Sequence, residues 1–235
     1  MIRVDRAELT RKEIVRAAAN FFLKDGYSKT TFRAMSQALN MSTGNMTFHF
    51  PTKEHMLAEL VDMLGHFQWE MMEEASKDGN PFMALCLELL SMAAACEQDE
   101  VIKEFFLAAY TSPLTLEIIR KNDMERARRI FGEYCSDWPE VKYSEVATLL
   151  SGVEYATLMT TDTSPPLEHR IRGALRLILT VYNVPEDTRE EKIAQAMDVD
   201  YRELGRRIPE EFRAYVDKET EHALVKLLER RIITE

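Results

Sequence analysis

The run from Tyr27 to Leu57, YSKTTFRAMSQALNMSTGNMTFHFPTKEHML, leaves this chain little choice of local fold. It predicts a short helix from Thr31 to Leu39, a tight turn from Asn40 to Ser42, a second short helix from Thr43 to His49, and a third opening at Thr52, with almost no spare residues. Each boundary has a chemical cause. Thr30 or Thr31, then Ser42, then Thr52 put a hydroxyl where a helix start needs an acceptor for its free N–H groups. Asn40 belongs to the few residue types besides glycine that visit the left-handed region of a turn. Phe32, Met35 and Leu39 give the first short helix an inward face. Two short helices at this spacing read as a helix-turn-helix, whose second helix enters a DNA major groove.

On either side the period stays helical. Upstream, Thr10 reads as a helix cap, with Glu13 completing a capping box and Leu9 and Ile14 forming a hydrophobic staple. Ile14, Ala17, Ala18 and Phe21 recur at helical spacing, and Gly26 stops the helix. Downstream, Met56, Leu60, Met63, Leu64, Phe67 and Met71 mark a long helix that leaves the head. Further helices are expected near 81–97, 99–111, 114–136, 143–162 and 166–183. Breaks fall at Asp78-Gly79-Asn80-Pro81, Ser112-Pro113, Trp138-Pro139 and Pro165-Pro166. No strand-like alternation occurs. The expected fold is all-α: a three-helix head (1–52), a larger helical body (53–185) and a C-terminal helical extension (186–235). In the extension Phe212, Tyr215, Val216, Leu224, Leu227 and Leu228 repeat at helical spacing over two or three helices.

A net charge of −10 argues against a nucleic-acid partner until the chain is divided. Residues 1–57 carry +4 and the remainder −14. A basic head on an acidic body points the head at a polyanion, while the body limits non-specific sticking. Cys86, Cys96 and Cys135 form no CxxC pair, so no disulfide framework is expected and a reducing cytoplasm fits. The start, MIRVDRAELTRKE, is too charged for a signal peptide, and no uncharged apolar run reaches the roughly 18 residues of a membrane span. No Ser-His-Asp set, phosphate loop or metal spacing is legible, so neither an enzyme nor a cofactor is expected. His66 and Glu70 lie one turn apart, a metal-ligand spacing, but no further His or Cys joins them and a polar pair beside a helical core is the reading.

Ile14, Ala17, Ala18, Phe21, Phe22, Gly26, Tyr27, Thr30 and Thr31, then Ala38 to Gly44, then His49 to Glu54 and Leu57, carry a resemblance. Over these residues the chain resembles the TetR family of bacterial transcription regulators. The resemblance covers about a quarter of the chain and implies a variable helical body that binds an inducer and dimerises through its last two helices. The departures fall where bases are read: Asn40, Asn45 and Thr47 replace the family's usual Gly, Thr and Tyr.

Together these readings set the expected sites. Thr30, Thr31, Arg33, Thr43, Gly44, Asn45, Thr47, His49 and Lys53 are the expected DNA contacts, Asn45 and Thr47 at base edges, Lys53 and the two threonines at phosphates. Gly44 either admits close backbone approach or is simply tolerated in a first turn. Phe48 and Phe50 are expected in the head core. His66, Phe67, Met71, Met92, Phe105, Phe106, Tyr110, Tyr155 and Met159 either line an adaptable, largely apolar effector pocket or fill an ordinary bundle core. Leu167, Ile171, Ala174, Leu175, Ile178 and Tyr182 share one helical face, enough for half of a four-helix homodimer interface. The expected function is a homodimeric regulator, a repressor on a palindromic operator released by a small effector, with no membrane partner. The alternative is a helical interaction module whose helix-turn-helix does not read DNA. The extension is expected to pack on the body, enlarging the dimer interface or closing the pocket.

Overall fold

The structure, a computed structural model, describes residues 2–76 and 80–232, with side chains described for 6–76 and 80–226. The chain folds as α1 (Ile2–Lys24), α2 (Phe32–Ala38), α3 (Thr43–His49), α4 (Lys53–Ala75), α5 (Pro81–Gln98), α6 (Glu100–Thr111), α7 (Pro113–Phe131), α8 (Glu140–Leu158), α9 (Leu167–Val181), α10 (Glu186–Met197) and α11 (Tyr201–Ile232). No strand occurs among the described residues. The expected Asp78-Gly79 part of one break, and the side chains of Leu227 and Leu228, lie outside what is described. None of the helices is long and apolar enough to cross a membrane among the described residues.

The start of α1 differs from expectation. The helix begins at Ile2, so Thr10 sits inside it and donates its hydroxyl to the Arg6 carbonyl at 2.9 Å. A threonine that bonds back one turn fits a helix interior as well as a cap, and the capping box and staple therefore do not form. Gly26 does stop α1, at φ 101°, and Asn40 makes the left-handed turn, at φ 51°.

Helix α5 is the hub. Its Ala and Cys side chains and all its Leu side chains but Leu85 are buried, as expected of a helix enclosed on nearly every side. It packs against α4, α6, α8, α9, α10 and α11. The extension is part of this core. Gly205 of α11 lies so near α5 that a Cβ there would stand 2.6 Å from the Ser91 carbonyl oxygen, which requires glycine. Farther along, the Phe212 ring packs 5.6 Å from Phe67 of α4, and α11 also lies along α1. The extension thus ties the head's first helix to the body, while α10 covers α9.

Candidate nucleic-acid interface and internal cavity

Two caps and one turn position the helix-turn-helix. Thr31 Oγ1 accepts the Ala34 N–H at 3.1 Å and starts α2; Ser42 Oγ accepts the Asn45 N–H at 3.1 Å and starts α3. Met35, Met46 and Phe50 are wholly buried with Ile14, Ala18 and Phe22 of α1, which fixes both short helices to the head core. Arg11 lies over the Phe50 ring, donates to the His49 carbonyl at 2.9 Å and pairs with Glu59 of α4. The end of α3 is therefore locked to both flanking helices.

On this scaffold Thr43, Gly44, Asn45 and Thr47 are exposed on α3, and Thr31 and Arg33 on α2. Thr47 rests its hydroxyl on the Gly44 carbonyl at 3.0 Å, and the Asn45 amide makes no hydrogen bond to any described residue. His49 is half-buried. Burial, then the neighbouring Arg11 guanidinium, lowers its pKa below the usual histidine value.

Two expectations need correction. Phe50 is core, but Phe48 is 79% exposed and projects beside Thr47. Position 48 falls on the outer face of α3 because Met46 and Phe50, four apart, take the inner one. Thr30 is only 3% exposed and donates to the Gly26 carbonyl at 2.8 Å, closing the α1–α2 turn rather than meeting phosphate. Lys53 donates to the Tyr27 carbonyl at 2.6 Å and lies 4.2 Å over the Tyr27 ring. Its ammonium ties that same turn to α4.

The body encloses a cavity of about 90 Å³ among α4 to α9. Of the expected lining, Met92, Phe106 and Tyr110 are present. His66 is outside it, with its ring nitrogen 2.8 Å from the Asp62 carbonyl oxygen. Phe67 and Met71 turn toward α11, Phe105 is core, and Tyr155 and the exposed Met159 do not reach the cavity. Sequence reasoning missed the polar lining: Gln68, Glu88, Asp123, Arg126 and Glu154. The available signal was Glu88 alone, an acid interrupting the apolar stretch of α5. Arg126 holds Glu88 through two hydrogen bonds, at 2.9 and 3.0 Å, and donates to the Gly65 carbonyl. Tyr110 donates to Glu154 at 3.0 Å. Burial, with Glu88 repulsion added and Arg126 opposing, raises Asp123 to about 7; burial and then Asp123 push Glu154 well above the usual carboxylate range.

The face expected to dimerise is also placed differently. Leu167, Ile171, Ala174, Leu175, Ile178 and Tyr182 are all buried within one protomer, and Ile178 and Tyr182 line the cavity. An apolar stripe on a single sequence does not say whether it meets its own chain or another.

Helix α6 joins cavity to head. It sends Phe106, Ala109 and Tyr110 to the cavity wall, while its Glu104 accepts the Ser28 N–H of the α1–α2 loop at 2.6 Å.

Residues 14–60, spanning the end of α1 through the start of α4, match the profile of the bacterial regulatory proteins of the tetR family. Over these residues the chain is similar to the N-terminal domain of the TetR family. Its members are transcriptional regulators rather than enzymes. SmeT, the repressor of the Stenotrophomonas maltophilia multidrug efflux pump SmeDEF, is 19% identical over 75% of this chain and 96% of its own, with a TM-score of 0.50. That likeness extends the shared fold from the TetR head into the body. CprB, a TetR family protein from S. coelicolor A3(2), is 22% identical over 81% of this chain and 97% of its own, at a TM-score of 0.46. A gamma-butyrolactone receptor described as an ArpA-like protein is 19% identical over 87% and 99%, at 0.45. No curated protein matches the chain.

Proposed function

We propose that this chain is a homodimeric repressor of the TetR type that reads a palindromic operator and is released from it by a small effector. The observation that carries the reading is α3: a capped helix locked from behind by Arg11 and Phe50, presenting Asn45, Thr47 and Phe48 to solvent. Asn45 supplies a bidentate donor–acceptor pair for adenine, Thr47 a hydroxyl or methyl, and Phe48 an apolar contact for a thymine methyl. Thr31, Arg33 and Thr43 supply flanking phosphate contacts. Thr30 and Lys53 act by holding the α1–α2 turn, and thereby the pitch of α2.

The two-fold partner is a second copy of this chain, docked on the outer faces of α8 and α9. Leu149 is 62% and Leu177 49% exposed. Gly152 and Gly173 are exposed mid-helix positions, and a Cβ at either would meet nothing within 4 Å. Mid-helix glycine costs about 1 kcal/mol relative to alanine. No crowding inside the protomer calls for that cost, and close approach of partner helices does.

The effector occupies the internal cavity. Through α6 a ligand against Phe106 and Tyr110 moves Glu104, hence the α1–α2 loop and the spacing of the two heads. A ligand that prefers one spacing shifts the population away from the DNA-bound state, and operator DNA weakens ligand binding equally.

Selection of duplex DNA from random pools with the purified protein tests the reading. A palindrome with half-site centres about 34–36 Å apart, or a multiple of that, is expected. Absence of any enriched palindrome would instead support the helical interaction module.

A further inference from the structure

We infer that the cavity effector is an organic cation: a small ammonium or amidinium compound with an apolar body, held against Asp123 and Glu154. The inference rests on reading the cavity as the effector site and adds the chemistry of the ligand.

The charged and titratable groups facing the cavity come from five helices. They are Glu88 on α5, Tyr110 on α6, Asp123 and Arg126 on α7, Glu154 on α8 and Tyr182 at the C-terminal end of α9. Their charges do not balance. Arg126 is committed to Glu88 by two hydrogen bonds and to the Gly65 carbonyl by a third. Glu154 receives one hydroxyl, from Tyr110, and Asp123 makes no hydrogen bond to any described residue. Two carboxyls therefore face an enclosed space with no cation assigned to either. An uncompensated carboxylate in such a place is costly, so burial raises the proton affinity of both groups in the empty protein.

A second, independent observation points to a ligand in this cavity. Gln68 of α4 is 2% exposed, its Nε2 has no hydrogen-bond partner, and it lines the same cavity. A buried amide without a partner is a site that something else satisfies. The rest of the wall is apolar, including Leu64, Met92, Phe106 and Leu150.

This lining discriminates by charge. A neutral apolar molecule leaves Asp123 and Gln68 unsatisfied. A carboxylate ligand faces two further acids. An ammonium group supplies the missing counter-charge, and its N–H donors meet Asp123 and Glu154, while its apolar body meets the leucines and Phe106; the Gln68 Nε2 donor is met only where the ligand also carries an acceptor atom. Cation binding expels protons from the two carboxyls, so affinity rises with pH.

The test is calorimetry on the full-length protein without DNA, using benzylamine, cyclohexylamine, their near-isosteres benzyl alcohol and cyclohexanol, and benzoate. Both amines remain cationic between about pH 6 and pH 8. Each is expected to bind at least tenfold more tightly than its alcohol, and to gain on the order of tenfold per pH unit for each proton expelled. Benzoate is expected not to bind. Asp123→Asn and Glu154→Gln should each erase the preference for amine over alcohol while leaving alcohol binding in place, which also shows that the cavity is still formed. Alcohols or benzoate bound as tightly as the amines overturn the inference, as does failure of both amines to bind. Amine binding that leaves operator DNA bound supports the cation site and removes the release mechanism instead. An enriched palindrome with no amine binding does the reverse.

Discussion

Leu175 and Leu177 stand two residues apart on α9 and face opposite ways, so they separate the two uses of this helix. Leu175 is fully buried inside the protomer; Leu177 is 49% exposed. Leu175→Ala removes about three methyl or methylene groups, or roughly 2.4 kcal/mol of transfer free energy. The cavity left behind raises the loss to about 3 kcal/mol. For a chain of this length each kcal/mol is worth roughly 2–4 °C, so the melting temperature should fall by about 6–12 °C. Leu177→Ala changes a surface position of the protomer and should cost the isolated fold no more than about 0.5 kcal/mol. At the proposed dimer face it instead removes a buried contact and should weaken association by on the order of tenfold. Urea denaturation at two protein concentrations, with sedimentation equilibrium, separates these outcomes: Leu175→Ala lowers the midpoint at both concentrations, and Leu177→Ala shifts the dimerisation constant. If Leu177→Ala left the dimer untouched while Leu175→Ala dissociated it without destabilising the protomer, the inward assignment of this face would be refuted.

Other outcomes follow from the head and the cavity. Phe48→Ala should leave melting unchanged within about 0.5 kcal/mol, because the side chain is mostly exposed. It should cost roughly 1–2 kcal/mol of operator binding by fluorescence anisotropy, with no change in salt dependence. Arg33→Gln should lower the slope of log affinity against log salt by about 1 at equal sequence preference. Asp123 has its carboxyl raised from 3.8 to about 7, so the unfolded form ionises first as pH rises. Its contribution is complete below about pH 4 and is lost by about pH 7, hence Asp123→Asn should match the native chain near pH 4 and exceed it in urea midpoint at pH 8, by roughly 1–3 kcal/mol. Glu104→Ala removes the acceptor for the Ser28 N–H. It should uncouple cavity from head, read as unchanged effector binding with several-fold weaker effector-driven release of DNA.

The head was legible in the sequence because its determinants are local. A hydroxyl three residues ahead of a backbone N–H, a residue able to take a positive φ, and apolar positions three and four apart are fixed by neighbours in the chain; Thr31, Ser42, Asn40 and Gly26 all perform as spelled. The same locality explains the misreadings. Thr10 satisfies the rule for a cap, and equally the rule for a residue inside a longer helix.

What each face of a helix meets was decided only by tertiary structure. The α9 stripe is apolar whether it packs on its own chain or a partner, and packing of α5, α8 and α10 settles it inward. That Lys53 also holds the Tyr27 carbonyl, twenty-six residues earlier, is visible only in the fold. The acids of the cavity come from α5, α7 and α8, separated by dozens of residues, so no window of sequence contains them together. The sequence alone determined a capped helix-turn-helix head on an all-helical body. The long-range packing determined which acidic and polar side chains are gathered around the cavity.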